Sequence, residues 1–506
     1  MEAAERKNGV RKGVRRAGKG VALVVTALGI AHVVILTQTV LRRMTFPFDY
    51  DWLEGAQMLQ GFRLAHGLPL YGPVDHGFMA APYPPVHPAL MAILGSIFGF
   101  EFWVGRLVSI ASLAMIGVLF TKTMWRQVPK KPLRWAFMAV ACASSAIAYP
   151  ALLGHLDMAR VDTLAFAFVV ASGYLVTTDG IVRGSWRYRC GLAFILALSV
   201  YTKQNNVFFA VAALVALAFR NFREAVRMAL LFGSLCVTAL VGLEVATHGW
   251  FLKWMLVMRG HRLVADHLPT GMLDSWRASP WLPLVPVFAI VAALKRTLTT
   301  TTKVWLAMWG AAIPACALPI LAEGGARNNL ISVAVLGTFV ALLPLADLLR
   351  ERRHDWRDVV GGVAFAAVLA AYMPSHFGSP LIADSFVPSA HDRREVERLH
   401  EVIRGLPGNV IFPMFPFVAI HDGKTDFQFS LVAYFDATER GHVPGDMPNG
   451  LLESGAPWVV TYGGYDIEGW VPQWLGSDYV LDREMPTGYR ACCLWYPDTV
   501  RVYRRR

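Results

Sequence analysis

The segment Phe48-Asp49-Tyr50-Asp51-Trp52-Leu53-Glu54-Gly55 sets three carboxylates within one short stretch, directly after the first long apolar run of the chain. Asp-x-Asp with a Glu three residues on can hold a divalent cation, or can offer one carboxylate as a general base. The same residues also suit a helix start, because acidic groups favour helix N-termini.

A second cluster, Gly154-His155-Leu156-Asp157-Met158-Ala159-Arg160-Val161-Asp162-Thr163, puts ionisable groups between two apolar runs. Ionisable groups at the edge of apolar spans are expensive, so their default reading is functional. A local ion pair of Arg160 with Asp157 or Asp162 is the plainer use. Lys203, in Thr-Lys-Gln-Asn-Asn, and Arg327, in Glu-Gly-Gly-Ala-Arg-Asn-Asn, are lone cations at turns between apolar runs. Lys203 can snorkel to the surface. Both also suit an anionic head group, since Lys and Arg hold phosphate while a carboxylate takes a proton from an acceptor. Arg259, His261 and Arg262 add cations to a long loop that reads equally as amphipathic surface.

The elements that must position these residues are membrane spans. The 506 residues are 55% hydrophobic and only 17% charged, with a mean hydropathy of +0.42. A soluble chain carries about a quarter charged residues. Apolar runs fall at 21–41, 103–121, 134–153, 161–179, 187–202, 205–220, 227–247, 281–295, 303–321, 329–349 and 358–373. Basic loops alternate with acidic or polar ones, and positive charge stays cytoplasmic. The count is therefore about eleven spans, with the N-terminus inside and the C-terminal segment outside. Val86 to Phe100 follows Tyr-Pro-Pro, is short for a crossing and would break the alternation. It reads as a helix lying on, or partly entering, the outer face.

The expected organisation is a basic cytoplasmic N-terminus over 1–20, a membrane unit over 21–374 with an outer loop at 44–102, and an extracytoplasmic segment over 375–506. That segment mixes a helical pattern (Arg393 to Leu406) with strand-like runs at Val410-Ile-Phe and Trp458-Val-Val-Thr-Tyr, which predicts a small α/β domain. The fold class is thus an all-α polytopic bundle with an α/β C-terminal domain. The net charge of +12 reports basic loops and gives no ground for a nucleic-acid partner. Of six Cys, Cys142, Cys190, Cys236 and Cys316 lie in apolar runs, and Cys492 and Cys493 are neighbours. No zinc spacing, Walker motif, Gly-x-Gly-x-x-Gly, Gly-x-Ser-x-Gly or His-Glu-x-x-His occurs.

The order of these features resembles the C-type membrane glycosyltransferases, a superfamily that includes protein O-mannosyltransferases and lipid A aminoarabinose transferases. The matching residues are Asp51-Trp-Leu-Glu54-Gly, Tyr83-Pro-Pro-Val-His87-Pro, Ala159-Arg160-Val-Asp162-Thr-Leu, Thr202-Lys203-Gln204 and Arg327. The resemblance spans about residues 20–350 and looks closest to a bacterial branch. It implies a site on the periplasmic face of the cytoplasmic membrane and a polyprenyl-phosphate sugar as donor. It also implies a first-loop carboxylate as base, with Lys203 and Arg327 on the donor phosphate. This chain departs from the family's adjacent Asp-Glu pair. Spacing to Tyr71 aligns Glu54 with its Glu and Leu53 with its Asp, and Asp51 lies one turn away. Tyr83 stands where relatives have Lys.

The candidate catalytic residues are therefore Asp51, Glu54, Asp49 and Asp162. The candidate binding residues are Lys203, Arg327, Arg160, Asp157, Tyr83, His87 and Gln204. No cofactor is required beyond the optional cation, and the sequence identifies no protein partner. A transporter or flippase of a lipid-linked sugar is the rival from another class, and such proteins often show related halves and mid-span breaks. A non-catalytic envelope assembly protein is a third reading. Convergence of Asp51, Glu54, Asp162, Lys203 and Arg327 on one outward face separates the first reading from these.

Overall fold

A computed structural model describes residues 2–73, 80–81, 83–128, 131–257, 263–279, 281–322, 325–350, 386–424, 455–463, 478–486 and 499–506. The chain opens with the long helix α1 (Glu2–Met44). A loop leads to α2 (Trp52–Ala65) and α3 (Val86–Phe98). The bundle continues with α4 (Phe102–Gln127), α5 (Lys131–Ala148) and α6 (Val161–Val176), then a single turn α7 (Asp179–Val182) and α8 (Trp186–Thr202). It goes on through α9 (Val207–Arg220), α10 (Phe222–Ala246), the turn α11 (Trp250–Leu252), α12 (His267–Ala278), α13 (Leu284–Leu294), α14 (Thr300–Leu321) and α15 (Ile331–Arg350).

Five of the described helical stretches are long and apolar enough to cross a membrane: Arg16–Met44, Phe102–Gln127, Phe222–Ala246, Thr300–Leu321 and Arg327–Leu349. The other expected spans correspond to shorter helices, and the expected span at 358–373 lies outside the described residues. α10 turns Leu230, Val237, Val241 and Val245 outward, as a lipid-facing helix does, where hydrocarbon rather than protein covers the side chains. Its carbonyls and amides are satisfied within the helix, so this face has no polar cost.

Successive helices run in opposite directions, and the long-range bonds fix both ends. At one end lie the C-terminus of α1, the N-termini of α4 and α6, the C-terminus of α8 and the start of α15. There Arg43 meets Asp157, Arg106 meets Glu54, and Lys203 meets both Asp162 and Asn329. At the other end Gln127 and Thr299 both bond Asp347, and Arg220 donates to the Val176 carbonyl.

α3 holds 13 residues, or about 20 Å of helix, against a hydrocarbon core of about 30 Å. Gly99, at φ +88°, ends it. α3 lies close on α2. A Cβ at Gly61 would come 2.4 Å from the Met91 Cβ, so only glycine lets the two backbones approach so closely.

The C-terminal segment carries α16 (Ala390–Gly405) and α17 (Pro416–His421) with a four-stranded sheet. The strands are β1 (Val410–Ile411), β2 (Trp458–Gly463), β3 (Tyr479–Pro486) and β4 (Thr499–Arg505), in the order β1-β2-β4-β3. β1 runs parallel to β2, and the other pairs are antiparallel. A reciprocal Ser389–Asp392 capping box starts α16, and its apolar stripe Val396, Leu399 and Ile403 is buried. The Cys492–Cys493 pair and the expected boundary at 374 lie outside the described residues.

The C-terminal segment packs on the loop that follows α1. Phe48 meets Phe415 with ring centroids 4.9 Å apart, and Phe417 stands edge-on to Phe102 at 5.2 Å. These rings and Phe46, Tyr50, Met58, Met158 and Trp254 form one buried core, separate from the core among the bundle helices.

Candidate active site

The three carboxylates of the first loop go three different ways. Asp51 caps α2: its backbone is extended and Oδ1 accepts from the Leu53 amide at 2.8 Å. Its Oδ2 lies 2.8 Å from Arg160 and 3.4 Å from His155 Nε2. Burial alone would raise its pKa, but Arg160, His155 and the Leu53 amide together hold it below the usual carboxylate range. Asp51 thus starts the helix as the sequence suggests, but from a buried position, at 3% exposure.

Glu54, fully buried, forms a fork with Arg106 at 2.9 and 2.8 Å, and also accepts from the amides of Tyr50 and Ala159, each at 2.7 Å. Both of its oxygens are committed to protein donors. Asp49 accepts from the Gly55 amide, and a Cβ at Gly55 would strike both Asp49 and the Phe417 Cβ. Burial, with the nearby Glu54 charge, raises the Asp49 pKa well above the ordinary value.

Asp51 is the first link of a longer string. Arg160 joins it to Asp162, with Nε 3.1 Å from Oδ2. Asp162 Oδ1 then accepts from Lys203 Nζ at 2.6 Å and from Asn328 Nδ2 at 3.0 Å, and Lys203 also donates to Asn329 at 3.0 Å. Four separated parts of the chain meet here: the α2 cap, the α6 start, the α8 end and the turn before α15. Lys203 is the C-cap of α8, where a cation suits the helix dipole. In α3, His87 is fully buried with no hydrogen-bond partner for either ring nitrogen among the described residues, and Asp162 is the charge that acts on it. Tyr83 lies near enough to Arg160 to act on its charge. Gln204 follows Lys203 on a one-turn helix.

Two expectations change. Lys203 and Arg327 are not lone cations. Lys203 holds Asp162, and Arg327 pairs with Asp274 of α12 at 2.9 Å, with a 35% exposed side chain. Arg327 adjoins Asn328 in sequence, yet its guanidinium turns to a different partner. Asp157 likewise leaves the string. It accepts from Arg43 at 2.7 Å and Tyr149 at 3.0 Å, so the expected Asp157–Arg160 pair does not form, whereas the Arg160–Asp162 pair does. Nor do Asp49, Asp51 and Glu54 gather as metal ligands among the described residues, because each carboxylate is taken by its own donor. Arg259, His261 and Arg262 lie outside the described residues.

The sequence reading missed Arg106, Arg43, Asn328 and Asn329. Arg106 is the lone charge in an apolar run and is 0% exposed, a costly placement that signals a partner. Arg42 and Arg43 stand at the outer end of the first span, against the positive-inside bias.

This arrangement can be set beside known proteins. The structure superposes on the crystal structure of ArnT from Cupriavidus metallidurans in the apo state with a TM-score of 0.58 at 13% identity, over 94% of this chain and 97% of that one. For the same protein bound to undecaprenyl phosphate the TM-score is 0.55 at 14% identity, over 97% and 98% of the chains. The fold of this chain is ArnT-like. A family model described as dolichyl-phosphate-mannose-protein mannosyltransferase matches residues 82–247. That stretch carries Tyr83, His87, Arg106, Arg160, Asp162 and Lys203. No curated protein sequence matches it.

Proposed function

We propose that this chain is an integral membrane glycosyltransferase. It moves a sugar from a polyprenyl-phosphate donor to an extracytoplasmic acceptor: a glycolipid, a polysaccharide or a protein. The observation that carries this reading is the string Asp51–Arg160–Asp162–Lys203, drawn from three parts of the chain to one end of the bundle. The ArnT-like fold supports it. The loop charges support an orientation with this end and residues 375–506 outside, and the proposed location is a bacterial cytoplasmic membrane.

In the proposed reaction Arg160 and Lys203 receive the donor phosphate, and Asp162 keeps them in place beforehand. Charge-assisted bonds to phosphate are short and strong. Asp51 is the proposed base. In the resting site Arg160 holds Asp51 deprotonated but weakly basic. A phosphate that draws Arg160 toward itself would lift the Asp51 pKa, bringing base strength with the donor. Proton transfer from the acceptor hydroxyl then accompanies attack on the sugar, and the polyprenyl phosphate leaves. Glu54 and Arg106 position the loop, and His87 and Tyr83 line the site. A deletion strain, analysed by mass spectrometry of its glycans and glycolipids, identifies the product. Transfer from a synthetic polyprenyl-phosphate sugar by purified protein tests the reaction, and an unchanged glycan profile together with no transfer would overturn it.

A further inference from the structure

A second cluster of ionisable groups lies away from the string, where the C-terminal segment meets the bundle. His400 of α16, His421 at the end of α17 and the adjacent Asp422 each offer one ligand atom, and these atoms lie within 4.8 Å of one another. His400 and Asp422 are buried, and His421 is partly so.

The two imidazoles are held in matching ways. His400 Nε2 lies 2.9 Å from the Pro47 carbonyl, which can only accept, so Nε2 carries the proton. His421 Nε2 lies 3.0 Å from a Glu101 carboxylate oxygen and donates likewise. Both rings thereby turn Nδ1 toward the Asp422 carboxylate, His400 at 2.7 Å from Oδ2 and His421 at 3.5 Å from Oδ1. His421 Nδ1 is buried without a hydrogen bond among the described residues. Two Nδ1 atoms facing one carboxylate call for positive charge there, as a proton on each ring or as a metal ion between them. Zinc supplies it in this setting, since histidine ligands characteristically donate their other ring N–H to a carbonyl or carboxylate.

We propose that His400, His421 and Asp422 bind a zinc ion through His400 Nδ1, His421 Nδ1 and an Asp422 oxygen. Two imidazoles, one carboxylate and a water make a standard four-coordinate set. With bonds of about 2.0–2.2 Å, ligand atoms sit roughly 3.4 Å apart, which small side-chain rotations from the observed positions provide. Arg404 lies 3.3 Å from Asp422 with a 58% exposed side chain, so it can withdraw without leaving a buried contact. The ion ties α16 and α17 to Pro47, in the loop that carries Asp51, and to Glu101 at the start of α4. It fastens the C-terminal segment over the site loop and takes no part in transfer.

The test uses full-length protein purified in detergent, exposed to zinc, then washed free of excess metal. Elemental mass spectrometry is expected to find about one zinc per chain, with cobalt giving the visible absorption bands of a tetrahedral site. His421→Gln and Asp422→Asn should lose the metal and the rise in thermal midpoint that zinc gives the wild type. Arg404→Gln should keep both. A wild-type protein that retains no zinc and gives no tetrahedral cobalt spectrum would overturn the proposal, leaving two protonated histidines around one carboxylate. Equal zinc in wild type and His421→Gln would mean an adventitious ion only. Should the variants fail to fold, the cobalt spectrum of the wild type decides.

Discussion

Glu54 and Arg106 meet at 2.8 Å with both side chains at 0% exposure, and the same guanidinium donates to the carbonyls of Phe46 and Phe48. A buried charge that loses its partner costs about 3–5 kcal/mol. Glu54→Ala should therefore lower the thermal midpoint sharply and reduce the yield of folded protein. Normal stability with no transfer would reassign Glu54 as the base.

Asp51→Asn should behave in the opposite way. Asparagine still accepts from the Leu53 amide, so the α2 cap survives. Transfer should fall by about a hundredfold or more while the thermal midpoint moves little. Wild-type turnover in Asp51→Asn would remove Asp51 from the chemistry.

Asp49 was grouped with these carboxylates, but its environment favours the protonated form. A carboxyl whose folded-state pKa is raised contributes stability that is full below its unfolded pKa and is lost as pH rises through the folded value. Asp49→Asn mimics the protonated state and keeps the acceptor for Gly55. It should retain transfer and lose less stability than wild type as pH rises. Thermal midpoints measured across a pH series check this, and a steeper loss in the variant would contradict it.

Lys203 and Arg327 should now differ. Loss of a charge-assisted contact to phosphate is worth about 1.5–3 kcal/mol, so Lys203→Gln should raise the donor KM about ten- to a hundredfold. Arg327 forms a partly exposed pair with Asp274, and such pairs contribute about 0–1 kcal/mol. Arg327→Gln should change the donor KM by less than about fivefold. Donor kinetics with a synthetic polyprenyl-phosphate sugar would separate them, and equal effects would return Arg327 to the donor site.

Orientation is the remaining prediction. Reporter fusions after Arg126 and after Arg393 should report the cytoplasm and the periplasm respectively. The same compartment at both points would reject the topology.

Much of this was legible because it is local. Apolar runs became helices, the Arg393–Leu406 stripe became α16, and Val410-Ile and Trp458-Val-Val became paired strands. Asp51, Arg160, Asp162 and Lys203 were marked because charges at span ends are costly. The different fates of Asp49, Asp51 and Glu54 were not legible. The partner that claims Glu54 is 52 residues away, and Phe417, beside Gly55, comes from the far end of the chain. His400 and Asp422 were not singled out, because the contacts of His400 with Asp422 and Pro47 exist only after the chain has closed on itself.

Phe415 and Phe417 close over Phe48 and Gly55, residues made hundreds of codons earlier. At roughly 5–20 residues per second, the ribosome leaves tens of seconds between the two. During that interval the first loop has emerged without its cover. A nascent chain halted before α17 would lack the residues that cover Phe48 and Gly55, so on the proposed function α17 would also time the onset of donor binding. Arresting synthesis on either side of Phe417 and assaying donor binding would reveal that order.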